Sequence, residues 1–199
     1  MRIVLASASP SRLAILQAAG VTPIVHPADL DEDALLATVC DAPAETQILT
    51  LSQAKAETVA AEHPTDVVIG CDSMLHLDGQ LQGKPLTIDN TIARWKQQRG
   101  RTAELVTGHC IIAPHNSQRV LQAATTTVTF GQVSDADIEA YARTGEPLHC
   151  AGAFTLEALG GWFIDSIHGD PSNVIGLSLP LVRKALYQFG HNVSECWIR

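Results

Sequence analysis

The stretch from Val67 to Pro85 reads VVIGCDSMLHLDGQLQGKP, and it decides the fold because it runs from an apolar strand through an acid and a turn to a lysine. Val67–Ile69 is a short β-branched run, which predicts a buried strand. Gly70 then allows the backbone to bend or another segment to come close. We therefore expect Asp72 at the end of this strand.

A β-hairpin is predicted after this strand, since Asp78-Gly79 stands between two leucines and this dipeptide is typical of two-residue turns. The hairpin would turn the chain back and bring Lys84 towards Asp72. The carboxylate could hold a divalent cation or activate water, and the ammonium could neutralise a phosphate. A surface aspartate in a strand-end turn, with a lysine in solvent, would produce the same pattern.

The composition predicts one domain over residues 1–199, because 46% of the residues are hydrophobic and no linker interrupts the chain. Lysine and arginine number 13 against 21 aspartates and glutamates, which gives a net charge of -8. This charge excludes a general electrostatic attraction to nucleic acid or to an anionic membrane. A small polyanion could still bind where a few cations and a metal converge.

Cysteine usage and hydropathy predict a soluble, cytoplasmic protein. The five cysteines are dispersed and show no Cys-x-x-Cys spacing, so neither a disulfide framework nor a zinc site is expected. No signal peptide is expected, and no run of about eighteen apolar residues predicts a membrane span. The eight histidines show no metal-ligand spacing, and we assign no chemistry to them.

The loop that follows the first predicted strand, Ile3–Ala6, has the features of an anion site. Ser9 suits the N-cap of the next helix and Pro10 its first position, so backbone N–H groups and the positive helix end would face a bound anion. Arg12 has the wrong charge for a first helical turn, a cost that is explained if it reaches a phosphate. The alternative is a plain strand-to-helix turn with a surface arginine.

An acidic segment follows the second predicted strand, Val21–Val25. Four carboxylates fall between Asp29 and Asp33, and such a cluster either stays in solvent or meets a cation. In the second case, Asp31-Glu32 could supply a carboxylate to a metal shared with Asp72.

The remaining segments predict an α/β protein. The helix over Pro43–Glu62 places Lys55 on its apolar stripe, where the lysine either lies along the edge of the core or points into a cleft. Trp95 is expected to be a packing anchor. The other predicted elements are helices over Thr87–Gly100, Ser134–Gly145 and Leu179–Phe189, strands over Thr102–Ala113, Ala123–Phe130 and Trp162–Ile164, and a polar turn over Gly169–Leu177.

Nine short motifs follow one another at compatible spacings: Leu5–Arg12, Asp31-Glu32, Lys55-Ala56, Gly70–Ser73, Gly83–Pro85, Thr107-Gly108, Gly145–Pro147, Ala151–Phe154 and Asn173–Leu177. Together they resemble the Maf family of nucleoside triphosphate pyrophosphatases over nearly the whole chain. The resemblance implies an α/β fold with an extended mixed β-sheet, flanking helices and two lobes around a cleft. This fold is similar to that of the inosine triphosphate pyrophosphatases, and a homodimer is usual.

The resemblance also implies a reaction, hydrolysis of a nucleoside triphosphate to the monophosphate and pyrophosphate with Mg²⁺ or Mn²⁺, and a role in nucleotide-pool sanitation. Asp72 matches the proton acceptor of the family. Glu32, Lys55 and Lys84 match its other polar catalytic positions, and Glu32 is with Asp72 a candidate metal ligand.

Further positions match the substrate-binding residues of the family. Ser7 and Arg12 match its phosphate-side loop. The branch acting on dTTP and UTP has arginine, threonine and glutamine where Ser11, Ser73 and Glu157 stand, and the branch acting on 7-methyl-GTP has tryptophan, glutamine and glutamate. Only Glu157 matches either branch, so the preferred base stays open.

Two other functions compete with this one. A nucleotide-binding regulator of cell division is one, because the family is linked to arrest of septum formation. Retention of Asp72 together with Lys55 and Lys84 weighs against it, since a sensor needs no water-activating acid. A metal-dependent phosphohydrolase that releases orthophosphate is the other, and its product would distinguish it.

Overall fold

The computed structural model describes residues 1–197 of the chain. Its strands are β1 (Ile3–Leu5), β2 (Ile24–Val25), β3 (Val67–Leu77), β4 (Gln80–Gln82), β5 (Thr102–Ile112), β6 (Arg119–Phe130) and β7 (Ile164–His168). Its helices are α1 (Pro10–Ala18), α2 (Glu32–Ala37), α3 (Ala44–Ala60), α4 (Ile88–Gln98), α5 (Asp135–Arg143), α6 (Pro171–Ile175) and α7 (Leu179–Gln188). No helix within residues 1–197 has the length and apolar character that crossing a membrane requires.

The strands form one open, mixed sheet in the order β2-β1-β3-β5-β6-β7, with β4 paired to β3. β1 is parallel to both β2 and β3, whereas β4 is antiparallel to β3 and β7 to β6. β5 and β6 are joined by a hairpin, and the bonds from Ala113 N to Gln118 O and from Phe130 N to Arg101 O show their antiparallel pairing. The predicted α/β fold with an extended mixed sheet and flanking helices is thus confirmed. Its similarity to the inosine triphosphate pyrophosphatases stays a prediction.

The strand β3 is longer than predicted, because both of its ends have partners. Ile3–Leu5 pairs with its first residues, and β4 pairs with its last. Asp72 therefore lies within a continuous strand, and the prediction that it stands at a strand end was wrong. The hairpin prediction is confirmed, since Leu77 pairs with Gln80 and Asp78-Gly79 forms the turn with φ values of 51° and 78°.

Two other element predictions were wrong. The segment predicted as a strand at Trp162–Ile164 is a 3-10 helix over Leu159–Phe163, and the strand begins only at Ile164. A Cβ on Gly160 would lie 2.4 Å from the carbonyl oxygen of Thr155, so the chain there is folded tightly back on itself. The predicted polar turn after β7 contains the short helix α6.

The chain divides into two compact units. The first comprises residues 1–72, 107–124 and those from 176 onwards, and the second comprises residues 73–106 and 125–175. In the first unit, a core cluster packs α3 against the buried faces of β1, β3 and β5; its members are Val4, Ala6, Ala56, Val59, Val68, Cys110 and Ile112.

The core of the second unit is built around Trp95, which is fully buried as predicted for a packing anchor. Its ring meets Phe130, Tyr141 and Phe163 edge to face, with centroids 5.5, 5.8 and 5.6 Å away. Its indole N–H donates to the carbonyl oxygen of Ala153 at 2.7 Å. Aromatic packing and a satisfied polar atom together hold the segment before residue 155 against α4.

Candidate active site

Three charged side chains of the first unit meet where α2, α3 and β3 come together. The Nζ of Lys55 donates to Oε2 of Glu32 and to Oδ1 of Asp72, at 2.8 Å in both cases. Lys55 and Asp72 retain 10% and 14% of their side-chain exposure, whereas Glu32 retains 46%. The structure therefore brings together three of the four residues predicted to be catalytic. The ammonium of Lys55 points towards both carboxylates and does not lie along the edge of the core.

Gly70 explains why α3 lies close enough for this contact. A Cβ at this position would stand 2.4 Å from the carbonyl oxygen of Ser52 and 2.6 Å from the amide nitrogen of Ala56. Side chains alternate along a strand, so Gly70 and Asp72 point to the same face of β3. The glycine lets the helix approach, and Asp72 then meets Lys55 beside it.

The position of Glu32 depends on the cap of α2. The side chain of Asp31 accepts a hydrogen bond from the backbone N–H of Ala34 at 2.9 Å, which makes Asp31 the N-cap and Glu32 the first helical residue. Part of the acidic segment thus has a local structural use, because carboxylates are favourable at a helix N-terminus.

The donor set of Glu32 and Asp72 fits a hard divalent cation. Mg²⁺ in proteins is commonly bound by one or two carboxylates together with waters and substrate phosphates. Lys55 bonds to one oxygen of each carboxylate, so the second oxygen of each could serve as a ligand to the cation. Within the part of the chain that the structure describes, no group of three or more His, Cys, Asp or Glu is arranged to hold a metal. Glu32 and Asp72 as metal ligands stay a prediction.

The loop before α1 is organised by hydrogen bonds between its own side chains. Ser9 is the N-cap, as predicted, and its Oγ accepts from the backbone N–H of Arg12 at 3.4 Å. The Arg12 guanidinium is buried; it donates through Nε to the carbonyl oxygen of Gly176 at 2.8 Å and through Nη1 to Oγ of Ser7 at 2.9 Å. These bonds account for an arginine in a first helical turn without a phosphate. Ser11 is half-buried in the same turn.

His109, a buried histidine to which the sequence assigned no chemistry, supports Arg12 indirectly. His109 on β5 is fully buried, and its Nε2 accepts from the backbone N–H of Ser178 at 2.8 Å. Its Nδ1 lies 3.0 Å from the carbonyl oxygen of Thr107, so the ring is assigned as neutral with the proton on Nδ1. Ser178 stands two residues after Gly176, so His109 supports the segment that accepts from Arg12. The sequence signal that could have identified His109 is its place directly after the Thr107-Gly108 motif.

The remaining predicted residues lie in the second unit. Lys84 is exposed two residues after β4, Ser73 is half-buried in β3, and Glu157 is exposed in the segment before the 3-10 helix. Oε2 of Glu157 accepts from the backbone N–H of Leu156 at 3.1 Å. That these three residues share one site with Asp72 stays a prediction.

Comparison with known proteins agrees with these observations. A family model described as Maf-like protein matches residues 2–189. The chain is 68% identical over 197 residues to a protein of Corynebacterium diphtheriae, covering 99% of this chain and 98% of the relative. It is 63% identical to one of Corynebacterium efficiens, with full coverage of both, and 50% identical to one of Nocardia farcinica, covering 98% and 96%. Each relative is named nucleoside triphosphate pyrophosphatase.

Proposed function

The chain belongs to the Maf-like protein family, and from this premise we propose that it hydrolyses a nucleoside triphosphate to the monophosphate and pyrophosphate. The observation that carries the proposal is the buried ammonium of Lys55, held at 2.8 Å from both Glu32 and Asp72. One ammonium and two carboxylates leave the cluster with a net negative charge, which suits a divalent cation that arrives with a polyanionic substrate.

Asp72 is the proton acceptor in the proposed reaction. Lys55 engages Oδ1 of Asp72 and so orients the carboxylate, whose other oxygen takes the proton from the attacking water. Because the side chain is largely buried, few water molecules compete for that oxygen. The water oxygen bonds to the α-phosphorus, the bond from that phosphorus to the bridging oxygen of the leaving pyrophosphate breaks, and the cations of Lys55 and Lys84 offset the charge that develops on the pyrophosphate.

A divalent cation fits this scheme. Mg²⁺ or Mn²⁺, held by Asp72 and Glu32, would offset charge on the phosphate oxygens when bound. Ser7, Ser11 and Arg12 are proposed to face the phosphate side of the substrate. For Arg12 this role is added to its internal bonds with Ser7 and Gly176.

Ser73 and Glu157 are proposed to contact the base. A carboxylate accepts hydrogen bonds, so Glu157 would favour a base that presents N–H donors. Ser11 and Ser73 match neither known branch, and the preferred base is therefore left to experiment. We further propose that the enzyme acts in the cytoplasm as a homodimer in nucleotide-pool sanitation; size-exclusion chromatography with light scattering would test the dimer.

The first experiment is a panel of standard and modified nucleoside triphosphates with Mg²⁺ or Mn²⁺, in which pyrophosphate and orthophosphate are measured separately. We expect pyrophosphate from one or a few substrates. Asp72→Asn should lower turnover by about a hundredfold or more while the circular dichroism spectrum is unchanged. Asp41→Asn, at an exposed position, is the matched control.

Other results of this experiment would point elsewhere. Orthophosphate as the product would indicate a different phosphohydrolase. Binding of nucleotide without turnover would favour the regulator of cell division. Full activity in a folded Asp72→Asn variant would remove the role assigned to Asp72.

A further inference from the structure

The carboxylate of Glu146 accepts four hydrogen bonds, although no role in the reaction has been assigned to this residue. Its Oε1 accepts from the hydroxyl of Tyr141 at 3.1 Å, from the backbone N–H of Gly160 at 3.1 Å and from the hydroxyl of Thr155. Its Oε2 accepts from the backbone N–H of Leu159 at 3.2 Å. Hydrogen bonds to an ionised acceptor are stronger than those between neutral groups, so this residue is a strong anchor.

Three of the four groups that donate to Glu146 stand at the two ends of one loop, Thr155–Gly160. The ends are also bonded to each other, because Oγ1 of Thr155 accepts from the N–H of Gly160 at 3.3 Å. The hydroxyl of Tyr141 in turn accepts from the N–H of Thr155 at 3.2 Å. The loop is therefore closed at its base, and Glu146 holds the point of closure.

Glu146 is held by a residue of α5 that belongs to the core of the second unit. The ring of Tyr141 is 3% exposed and packs edge to face against Trp95 and Phe163, with centroids 5.8 and 5.4 Å away. Gly145 adopts the left-handed conformation at φ 80° and turns the chain out of α5. The N–H of Glu146 then donates to Oγ1 of Thr144 at 3.2 Å. The main chain that carries the carboxylate is thus held by the end of α5.

The closed loop presents Glu157 at its centre. Glu157 is exposed, and its carboxylate accepts from the neighbouring backbone N–H of Leu156, so the loop itself sets its position. Glu157, Glu146 and Lys84 all lie within electrostatic range of the Cys150 thiol. Burial raises the pKa of this thiol to about 11, the negative charges of Glu157 and Glu146 add to the rise, and the positive charge of Lys84 opposes it.

The chain around Lys84 is hydrogen-bonded to the segment that follows Glu146. The carbonyl oxygen of Gly83 accepts from the N–H of Gly152 at 3.3 Å, and the N–H of Leu86 donates to the carbonyl oxygen of Leu148 at 3.0 Å. The two residues that flank Lys84 and its neighbour Pro85 therefore pair with the chain that follows Glu146. Within the second unit, the segment between Glu146 and the loop Thr155–Gly160 is thus hydrogen-bonded to the chain on both sides of Lys84.

We propose that Glu146 is a positioning residue for base selection, which holds the loop Thr155–Gly160 so that Glu157 meets the base of the substrate. This inference rests on the proposed function, in which Glu157 contacts the base. Glu146 itself touches no substrate and acts through the loop. Its loss should therefore change the discrimination between bases more than the rate of phosphate hydrolysis.

The test is a double-mutant cycle of Glu146→Gln and Glu157→Gln, measured on the panel of nucleoside triphosphates. In Glu146→Gln the amide NH₂ replaces an acceptor and faces an N–H donor, so the closure of the loop is weakened. We expect the ratio of kcat/KM between the best and a rejected substrate to fall about tenfold, mainly through KM. The double variant should lose no more discrimination than the more affected single variant. Glu139→Gln, exposed on α5, is the matched control and should leave the ratio unchanged.

Hydrogen exchange gives a second readout that does not depend on activity. The amides of Leu159 and Gly160 should exchange faster in Glu146→Gln than in the parent protein. Faster exchange with an unaltered substrate ratio, or losses that add in the double variant, would overturn the inference. If Glu146→Gln does not fold, Thr155→Val, which removes one of the four donors, should change the ratio in the same direction by a smaller factor.

The outcome for the proposed function can be read separately. Absence of turnover in the parent protein would contradict the proposed function. The dissociation constants of the same nucleotides would then decide the inference. Binding selectivity that is unchanged in Glu146→Gln would overturn it.

Discussion

The ammonium of Lys55 lies 2.8 Å from Oδ1 of Asp72, although the two residues are 17 positions apart in the chain. One stands on α3 and the other on β3, and both side chains are almost fully buried. A charge withdrawn from water is tolerated only with a partner, so each of these residues requires the other. This contact links the fold of the first unit directly to its proposed chemistry.

Replacement of Lys55 by methionine should abolish most of the activity. The change removes the charge that is proposed to offset that of the substrate, and it leaves the carboxylates of Asp72 and Glu32 without the ammonium between them. We expect kcat to fall by about a hundredfold or more and the free energy of unfolding to fall by about 1–3 kcal/mol. Steady-state kinetics and urea denaturation measure the two effects. Lys184→Met, at an exposed position on α7, is the control; a kcat of Lys55→Met within twofold of the parent would contradict the assignment.

Gly70→Ala should destabilise the protein because its new methyl group would meet backbone atoms of α3. Those atoms are the carbonyl oxygen of Ser52 and the amide nitrogen of Ala56, at 2.4 and 2.6 Å. Backbone cannot rotate away, so α3 must shift, at a cost of about 1–3 kcal/mol. Gly83→Ala is the matched control, since no atom lies within 4 Å of its added Cβ. Equal unfolding midpoints for the two variants in urea would show that α3 is not held as closely as described.

The cysteines should differ sharply in alkylation. Burial raises the pKa of the Cys71 thiol to about 11 and that of Cys110 to about 12, so both remain protonated near neutral pH. Cys40 is exposed. Iodoacetamide at mildly alkaline pH, followed by peptide mass spectrometry, should modify Cys40 in the folded protein and leave Cys71 and Cys110 unmodified. Unfolding in guanidinium should make all three react, and rapid labelling of Cys71 without denaturant would be inconsistent with the structure.

Stability should decrease in acid partly because of Glu146. Partial burial raises the pKa of this carboxyl, but the hydrogen bonds from Thr155, Gly160, Leu159 and Tyr141 outweigh it and hold the pKa below the ordinary value of 4.5. A group whose pKa is lower in the folded state stabilises the protein above its unfolded pKa. That contribution is lost as the pH falls through the folded pKa.

The free energy of unfolding of the parent should therefore decline below about pH 5 more steeply than that of Glu146→Gln. Asp135 and Glu195 also have lowered pKa values, chiefly through the hydrogen bond from Arg99 and that from the Asn192 backbone, and both remain in the two proteins. Urea titrations between neutral and acidic pH measure the difference. Parallel curves for the two proteins would mean that Glu146 titrates alike in the folded and unfolded states.

Local features were predictable from the sequence because they depend on a few neighbouring residues. Ser9 and Pro10 start α1 through side-chain capping and a preset φ, and Asp78-Gly79 adopts the positive φ values that a tight hairpin needs. The spacing of apolar residues by three and four positions likewise predicted α3 and placed Lys55 on its apolar stripe.

Contacts between distant segments were decided only by the tertiary structure. β3 continues past Gly70 and Asp72 because it has partner strands on both sides of this position. No local sequence pattern shows that a strand will continue through a glycine. The bonds that the Glu146 carboxylate accepts come from residues up to 14 positions away. The sequence by itself determined which groups could carry charge, cap a helix or form a turn, since these depend on short-range backbone and side-chain preferences. The tertiary structure decided which of these groups meet, because each buried polar atom needs a hydrogen-bond partner and the packing of the chain determines which partners are near it.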